Sequence, residues 1–222
     1  MQKSFFIATS LLLGSFFSSP VLADLYLSVG AGMGYPDDSS GDYEKLGIPY
    51  QFDYKAKDTG LFSVGIGKKF DDKRVEFIYS KDTVESDKLE LSKYGQGVTG
   101  AISPALKSVV SSYMVYGLKD FTTDSKFTPY AGIGLGFTSL SGRDQTGTFA
   151  GVPFKWFGGS ETVLSFGLKG GASYDLADNT ALFTEATYKK IGSYNVSKAG
   201  FEKANHDSNS IFKIIGGLRF SF

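Results

Sequence analysis

From Leu25 onward the chain keeps returning to one pattern: apolar residues alternate with glycine or polar residues for about ten positions before a polar connection intervenes. Strict alternation is the period of a β-strand whose two faces differ. Such strands are expected over about Leu25 to Tyr35, Leu61 to Lys69, from near Val75, Val109 to Lys119, Thr128 to Leu140, Val163 to Tyr174, Thr180 to Lys190 and Ser210 to Phe222. In the first, Leu27, Val29, Ala31 and Met33 oppose Ser28, Gly30, Gly32 and Gly34. The fourth sets Val110, Met114, Tyr116 and Leu118 against Ser111, Tyr113 and Gly117, and the fifth sets Ala131, Ile133, Leu135 and Phe137 against Tyr130, Gly132, Gly134 and Gly136.

The connections alternate as strictly as the strands. Asp71 to Arg74, Thr122 to Lys126 and Asp175 to Asn179 are short and hydrophilic, whereas Pro36 to Gly60, Lys81 to Lys107, Ser141 to Glu161 and Ser193 to Asn209 are long. Short periplasmic turns and long extracellular loops are the habit of transmembrane barrels. At about 3.3 Å per residue and a tilt of about 40°, a ten-residue strand spans about 25 Å, the height of an outer-membrane apolar band. A soluble barrel would turn its glycine parity toward water, where a face of Gly30, Gly32, Gly34, Gly132, Gly134 and Gly136 makes a poor solvated surface. The expected fold is therefore all-β: a single eight-stranded antiparallel up-and-down transmembrane β-barrel with four long extracellular loops.

Composition agrees with strands that carry one apolar face, since glycine numbers 28 and aromatics make up 15% of the chain. Residues 1–23 read as a cleaved signal peptide, with Lys3 as the positive region, an apolar run from Phe5 to Phe17, and Val21-Leu22-Ala23 as the cleavage site. That run is too short for a spanning helix, which needs about 20 apolar residues. Residues 24–222 form the barrel domain, and the cell outer membrane is the expected location. The chain carries 23 basic and 23 acidic residues, of which the signal holds only Lys3. Nothing here has the basic face of a nucleic-acid binder. There is no cysteine and one histidine, so no disulfide forms, and neither a cofactor nor a transition-metal site is expected.

The segments PYAGIGLGF at 129–137, SFGLKGGASYDL at 165–176 and the terminal GGLRFSF at 216–222 resemble the small eight-stranded outer-membrane barrels of the OmpA-transmembrane and opacity-protein porin type. The resemblance implies fold more than activity, because strand number is shared while the loops decide function. It implies a structural or surface-interaction role, with a narrow porin-like channel as the alternative and a lipid-modifying enzyme as a more distant one. It also implies that Phe220 and Phe222 belong to the signal read by the outer-membrane insertion machinery. No further periplasmic domain is expected, which argues against cell-wall anchoring.

On the assigned parity, Glu76, Lys169, Glu185, Lys189, Lys213 and Arg219 point into the barrel. A turn centred near Ala177 sets Lys169 opposite Glu185. Opposite charges in a narrow lumen are expected to pair, as an unpaired buried charge is costly. The network reads as structural filling, with a gate as the functional alternative. Tyr113, Tyr130 and Phe183 are expected to help fill the space, while the interior glycines leave room for a thin watery passage. His206-Asp207-Ser208-Asn209 is similar to the His-x-Ser-Asn signature of outer-membrane lipid A deacylases, but no acidic residue follows Asp207 to complete a triad; no catalytic residue is assigned. In the loops, Tyr50, Phe154 and Trp156 are candidate contacts for a surface ligand or host partner. Outer-membrane lipid and lipopolysaccharide are the expected surroundings, and the acids Asp37, Asp38, Asp42 and Glu44 read as a solvated loop.

Overall fold

A strand with one lipid-compatible face still has two edges of unpaired amides and carbonyls, and in a bilayer both edges need a neighbour. The computed structural model meets that demand with a closed ring. It describes residues 24–45, 48–93, 96–156, 158–198 and 202–222, so the signal sequence read at 1–23 lies outside the described residues. The strands are β1 (Leu25–Pro36), β2 (Ser39–Lys45), β3 (Ile48–Ala56), β4 (Thr59–Phe70), β5 (Lys73–Lys93), β6 (Gln96–Asp120), β7 (Phe127–Gly142), β8 (Gln145–Phe149), β9 (Val152–Trp156), β10 (Ser160–Ala177), β11 (Thr180–Ile191), β12 (Tyr194–Lys198), β13 (Glu202–His206) and β14 (Asn209–Ser221).

Eight of these, β1, β4, β5, β6, β7, β10, β11 and β14, pair antiparallel in that order, and β14 returns to β1 from Tyr26↔Ser221 to Pro36↔Ile211. The outward parity is apolar: Val29, Phe62, Val64, Phe77, Leu135, Phe166, Leu168 and Ile214 are all exposed. At the periplasmic end Phe70, Phe121, Phe127, Tyr174 and Phe222 are exposed as well, at the level where interfacial aromatics belong.

The long connections are themselves stranded. β2, β3, β8, β9, β12 and β13, with the upper halves of β5 and β6, form a second storey in the order β12-β13-β2-β3-β5-β6-β8-β9. Each of these continues one ring strand upward, so the storey repeats the ring's neighbours with one exception. The counterpart of the β10–β11 pair, β9 beside β12, is unpaired among the described residues, which leaves a seam. Polarity also reverses. Below, apolar residues face out; above, Phe52, Tyr54, Leu89 and Ile102 are buried inside, with Leu91 and Leu106 against them. Within β5 the reversal coincides with an irregularity, a register shift against β3 between Lys55 and Ala56 and against β6 between Ser86 and Lys88. Val75 and Phe77 share the odd parity of Leu89 and Leu91, so an unbroken strand would turn these leucines to water. The bulge at Asp87 flips them inward.

Two expectations need correction. Tyr113 faces outward against Tyr79, with ring centroids 5.2 Å apart, while Val110, Met114, Tyr116 and Leu118 are buried inside. Both parities of β6 are apolar, so alternation alone does not orient it. Lys169 stands opposite Thr187 and Glu185 opposite Gly171, because the chain reverses at residues 178–179 rather than at Ala177. Some of the interior glycines lie beneath tyrosine rings, which occupy part of the room expected there. A Cβ at Gly134 would stand 2.5 Å from Tyr116 Cδ1, and one at Gly67 would collide with Tyr26.

Candidate functional site

The lumen is filled in tiers, each built from inward positions spaced two residues apart along neighbouring strands. At the periplasmic end Arg74 donates through Nε to Asp120 Oδ1 at 2.8 Å, and its guanidinium carbon lies 4.4 Å from the Tyr130 ring centroid. Arg219 sits over Tyr26, 4.9 Å from that centroid. The middle tier is an acid-base-acid bridge: Lys169 Nζ lies 3.1 Å from Glu76 Oε2 and 3.0 Å from Glu185 Oε1. Lys169 and Glu185 therefore meet diagonally across β10 and β11, one pleat out of direct opposition. Tyr130 donates to Glu185 Oε2 at 3.0 Å, Ser28 donates to Glu76 Oε1 at 3.4 Å, and Lys169 covers the Tyr116 ring at 4.4 Å.

Above the bridge, Lys213 donates to Asp82 Oδ2 at 2.6 Å and to Ser80 at 3.2 Å. Lys189 donates to the Ser112 hydroxyl, which shares a hydroxyl chain with Thr138 (3.2 Å) and, through Thr138, with Ser165 (2.8 Å). All of these charged side chains are buried, and three of the cations have a carboxylate partner. Such an interior is stable only when its groups are paired and hydrogen-bonded.

Val110, Ile191 and Ile211 are the next inward residues above the lysines, and these three are buried. They form the floor of a cavity of about 160 Å³ at the outer mouth, walled by the second storey through Tyr54, Tyr194 and His206. The His206 ring stacks on Tyr194 at 4.3 Å and 5° and meets Phe52 edge-on at 4.9 Å. Burial pushes its pKa down to about 4 against a small opposing pull from Asp207, and burial pushes Tyr194 up to about 12. Nδ1 of His206 lies 3.5 Å from the Ser39 hydroxyl. Ser208, two residues along the tetrapeptide, is exposed and offers its carbonyl to Lys190.

The six charged residues singled out from the sequence thus lie in one column, although Lys189 and Arg219 make no ion pair among the described residues. Sequence reasoning missed Arg74, Asp82, Asp120 and Tyr26. Arg74 and Asp82 share the inward parity of Glu76 on β5, and Tyr26 that of Ser28 on β1, so carrying the alternation two residues further finds these three; Asp120 shares the parity of Tyr116, which the sequence pattern set outward. Tyr50 is half-buried on β3 opposite Tyr43. Phe154 and Trp156 belong to β9, but their side chains fall outside the described residues. Asp38 is tied to Lys55 at 2.7 Å. Phe220 pairs with Leu27 across β1, and the amide of Phe222 donates to the Leu25 carbonyl at 2.9 Å.

Comparison with known proteins agrees with this architecture. The family model described as Opacity family porin protein matches residues 66–212. Neisserial surface protein A, from Neisseria, superposes with a TM-score of 0.55 at 17% identity, covering 90% of this chain and 98% of that one. The outer-membrane protein OprG of Pseudomonas aeruginosa gives 0.58 at 15%, covering 90% and 97%. The outer-membrane protease OmpT of Escherichia coli gives 0.51 at 9%, covering 89% and 97%. At these identities the likeness is one of fold. No curated protein matches the chain.

Proposed function

The chain belongs to the Opacity family of porin proteins and is an integral β-barrel of the outer membrane, and from that premise we propose that it is a structural and surface-interaction protein whose lumen is closed to solutes. The observation that carries this reading is the middle tier. Glu76, Lys169 and Glu185 bridge the lumen between β5, β10 and β11, and the buried rings of Tyr116 and Tyr130 pack beside the bridge. Eight strands enclose little more than their own side chains. The function then falls to the second storey, where an ordered wall rises around the mouth cavity and presents its rim to whatever binds at the cell surface.

A liposome-swelling assay tests the closed lumen. Vesicles loaded with the protein should swell in glycine or arabinose no faster than empty ones, and rapid swelling in both would favour the porin-like alternative. That second reading draws support from the mouth cavity, whose floor residues Ile191 and Ile211 stand one inward position above Lys189 and Lys213. An enzymatic role draws little support from His206: among the described residues its Nδ1 meets the Ser39 hydroxyl at 3.5 Å and no carboxylate hydrogen-bonds to the ring.

Assembly completes the proposal. Phe222 ends the strand that closes the ring and is 74% exposed to lipid, where the insertion machinery can read it. Deleting Phe222, or replacing it with Asp, should lower outer-membrane yield and leave protein in the periplasm. Unchanged yield after both changes would remove this residue from the assembly signal.

A further inference from the structure

The outward face of the ring is uneven at its periplasmic end. On β1, β7, β10, β11 and β14 the last outward positions are uncharged, with Leu25, Phe127, Tyr174, Leu182 and Phe220 among them. On β4, β5 and β6 the same parity carries Lys68, Lys73 and Lys119, flanked by the exposed rings of Phe70 and Phe121. Lys73 stands directly opposite Lys119 across β5 and β6. Lys68 lies one pleat from Lys73 across β4 and β5, because the residue opposite Lys73 is Phe70.

Like charges directly opposed on one face of a sheet work against strand pairing. The nearby carboxylates relieve only part of this. Asp72 takes Lys119 at 3.3 Å, whereas neither Lys73 nor Asp71 makes an ion pair among the described residues. Asp120 is turned inward to Arg74 and Lys69. Directly above the lysine pair the surface is open: Gly117 stands between Val75 and Ile133, and a Cβ added there would meet nothing within 4 Å. Val75 and Ile133 are both exposed, so they wall a furrow that has Gly117 as its floor and runs from the lysines into the apolar band.

A lysine at a membrane interface lays its stem along apolar surface and holds its ammonium among the headgroups, the level that exposed aromatic rings also mark. We propose that this face of β4, β5 and β6 binds an anionic phospholipid of the periplasmic leaflet, with its phosphodiester between Lys73 and Lys119, Lys68 beside it, and one acyl chain over Gly117. The phosphate separates the two opposed ammoniums and ties the ends of β5 and β6 together. A zwitterionic headgroup brings its own cation to a face that already carries three lysines, so the site favours the anionic lipid. The proposal rests on the barrel's place in the outer membrane and is independent of whether the lumen conducts.

The test is native mass spectrometry of the whole barrel, released from detergent micelles that hold equal amounts of phosphatidylglycerol and phosphatidylcholine with the same acyl chains. The first lipid retained should be phosphatidylglycerol by roughly fivefold or more, the factor that one lysine at a membrane surface contributes. Lys73→Gln combined with Lys119→Gln should bring the two lipids to near parity, while Lys81→Gln, on the outward face of β5 at the other end, should keep the wild-type preference. Gly117→Val fills the furrow and leaves both lysines in place, so it should lower phosphatidylglycerol retention severalfold. Excess inorganic phosphate, which lacks the chain, should not displace the lipid. Equal retention of the two lipids by the wild type overturns the proposal, as does a preference that survives the paired lysine substitution. Displacement by inorganic phosphate, or full retention in Gly117→Val, overturns the assignment to a lipid.

Discussion

The ring in the membrane and the storey above it use the same eight neighbours in the same order, yet they are built inside out relative to each other. Below, leucine, valine and phenylalanine face outward and the ion pairs of Glu76, Lys169, Lys213 and Arg74 face inward. Above, Phe52, Tyr54, Leu89 and Ile102 are the interior, and pairs such as Lys57–Asp87 (2.7 Å) and Lys107–Glu85 (2.6 Å) lie on the outside. Closure differs too. Lipid offers an open edge no hydrogen bonds, so the ring must shut; water does, so the seam between β9 and β12 is tolerated. Both edge strands also carry a lysine, Lys155 and Lys198, and β9 carries Pro153, the usual guards of an exposed edge. Solvent, more than local sequence, decides which parity is inside, and within β5 a bulge at Asp87 makes the switch.

The largest expected effect strikes the lower storey alone. Lys169→Ala strands two buried carboxylates and should destabilise the ring by about 3–5 kcal/mol, less where water enters. The heat-modified gel shift and the urea midpoint read that loss. A midpoint equal to wild type would mean that the Glu76–Lys169–Glu185 bridge contributes nothing to closure. Next comes Gly134→Val, which pushes against the Tyr116 ring and should cost about 1–3 kcal/mol as an overpacked core does. The same change at Gly117, where an added Cβ meets nothing within 4 Å, should leave the midpoint nearly unmoved. Equal effects at the two glycines would contradict the tyrosine-filled lumen.

A smaller effect should appear only in the upper storey. Folding lowers the His206 pKa from its usual 6.5 to about 4, so between those values the unfolded sheet takes up a proton that the folded sheet does not. Its contribution is complete above about pH 6.5 and is lost as the pH falls toward 4. One pKa unit corresponds to about 1.4 kcal/mol, which after discounting for partial exposure leaves on the order of 1–2 kcal/mol. An NMR titration of this single histidine should have its midpoint near 4, with line broadening of β2 and β13 amides at the acid end and none in β1 or β11. A midpoint near 6.5 would separate His206 from the fold of its sheet.

Period-two alternation made the ring legible, because a lipid-facing parity leaves an unambiguous stripe on most strands. It failed where that stripe disappears. β6 is apolar on both faces, so Tyr113 and Tyr116 exchange places relative to expectation. Residues 81–107 read as a loop because the outer face turns polar above the membrane, although Lys73–Lys93 and Gln96–Asp120 run on as strands. Arg74 was hidden in an expected turn, and Asp82 in that expected loop. The Lys169–Glu185 contact could be anticipated from a hairpin, but its diagonal form depends on where two turn residues fall. Glycine at Gly67 and Gly134 counted as empty space until the Tyr26 and Tyr116 rings of the paired strands were in view.

The closed lumen is tested most directly by single-channel recording of the purified barrel in a planar bilayer. The account predicts no reproducible conductance steps in the wild type over hours of recording at high salt. Steady steps of uniform size, with a selectivity that shifts when Glu185→Gln or Lys213→Gln is introduced, would contradict it and establish a conducting pore through the tier that Glu76, Lys169 and Glu185 are held here to seal.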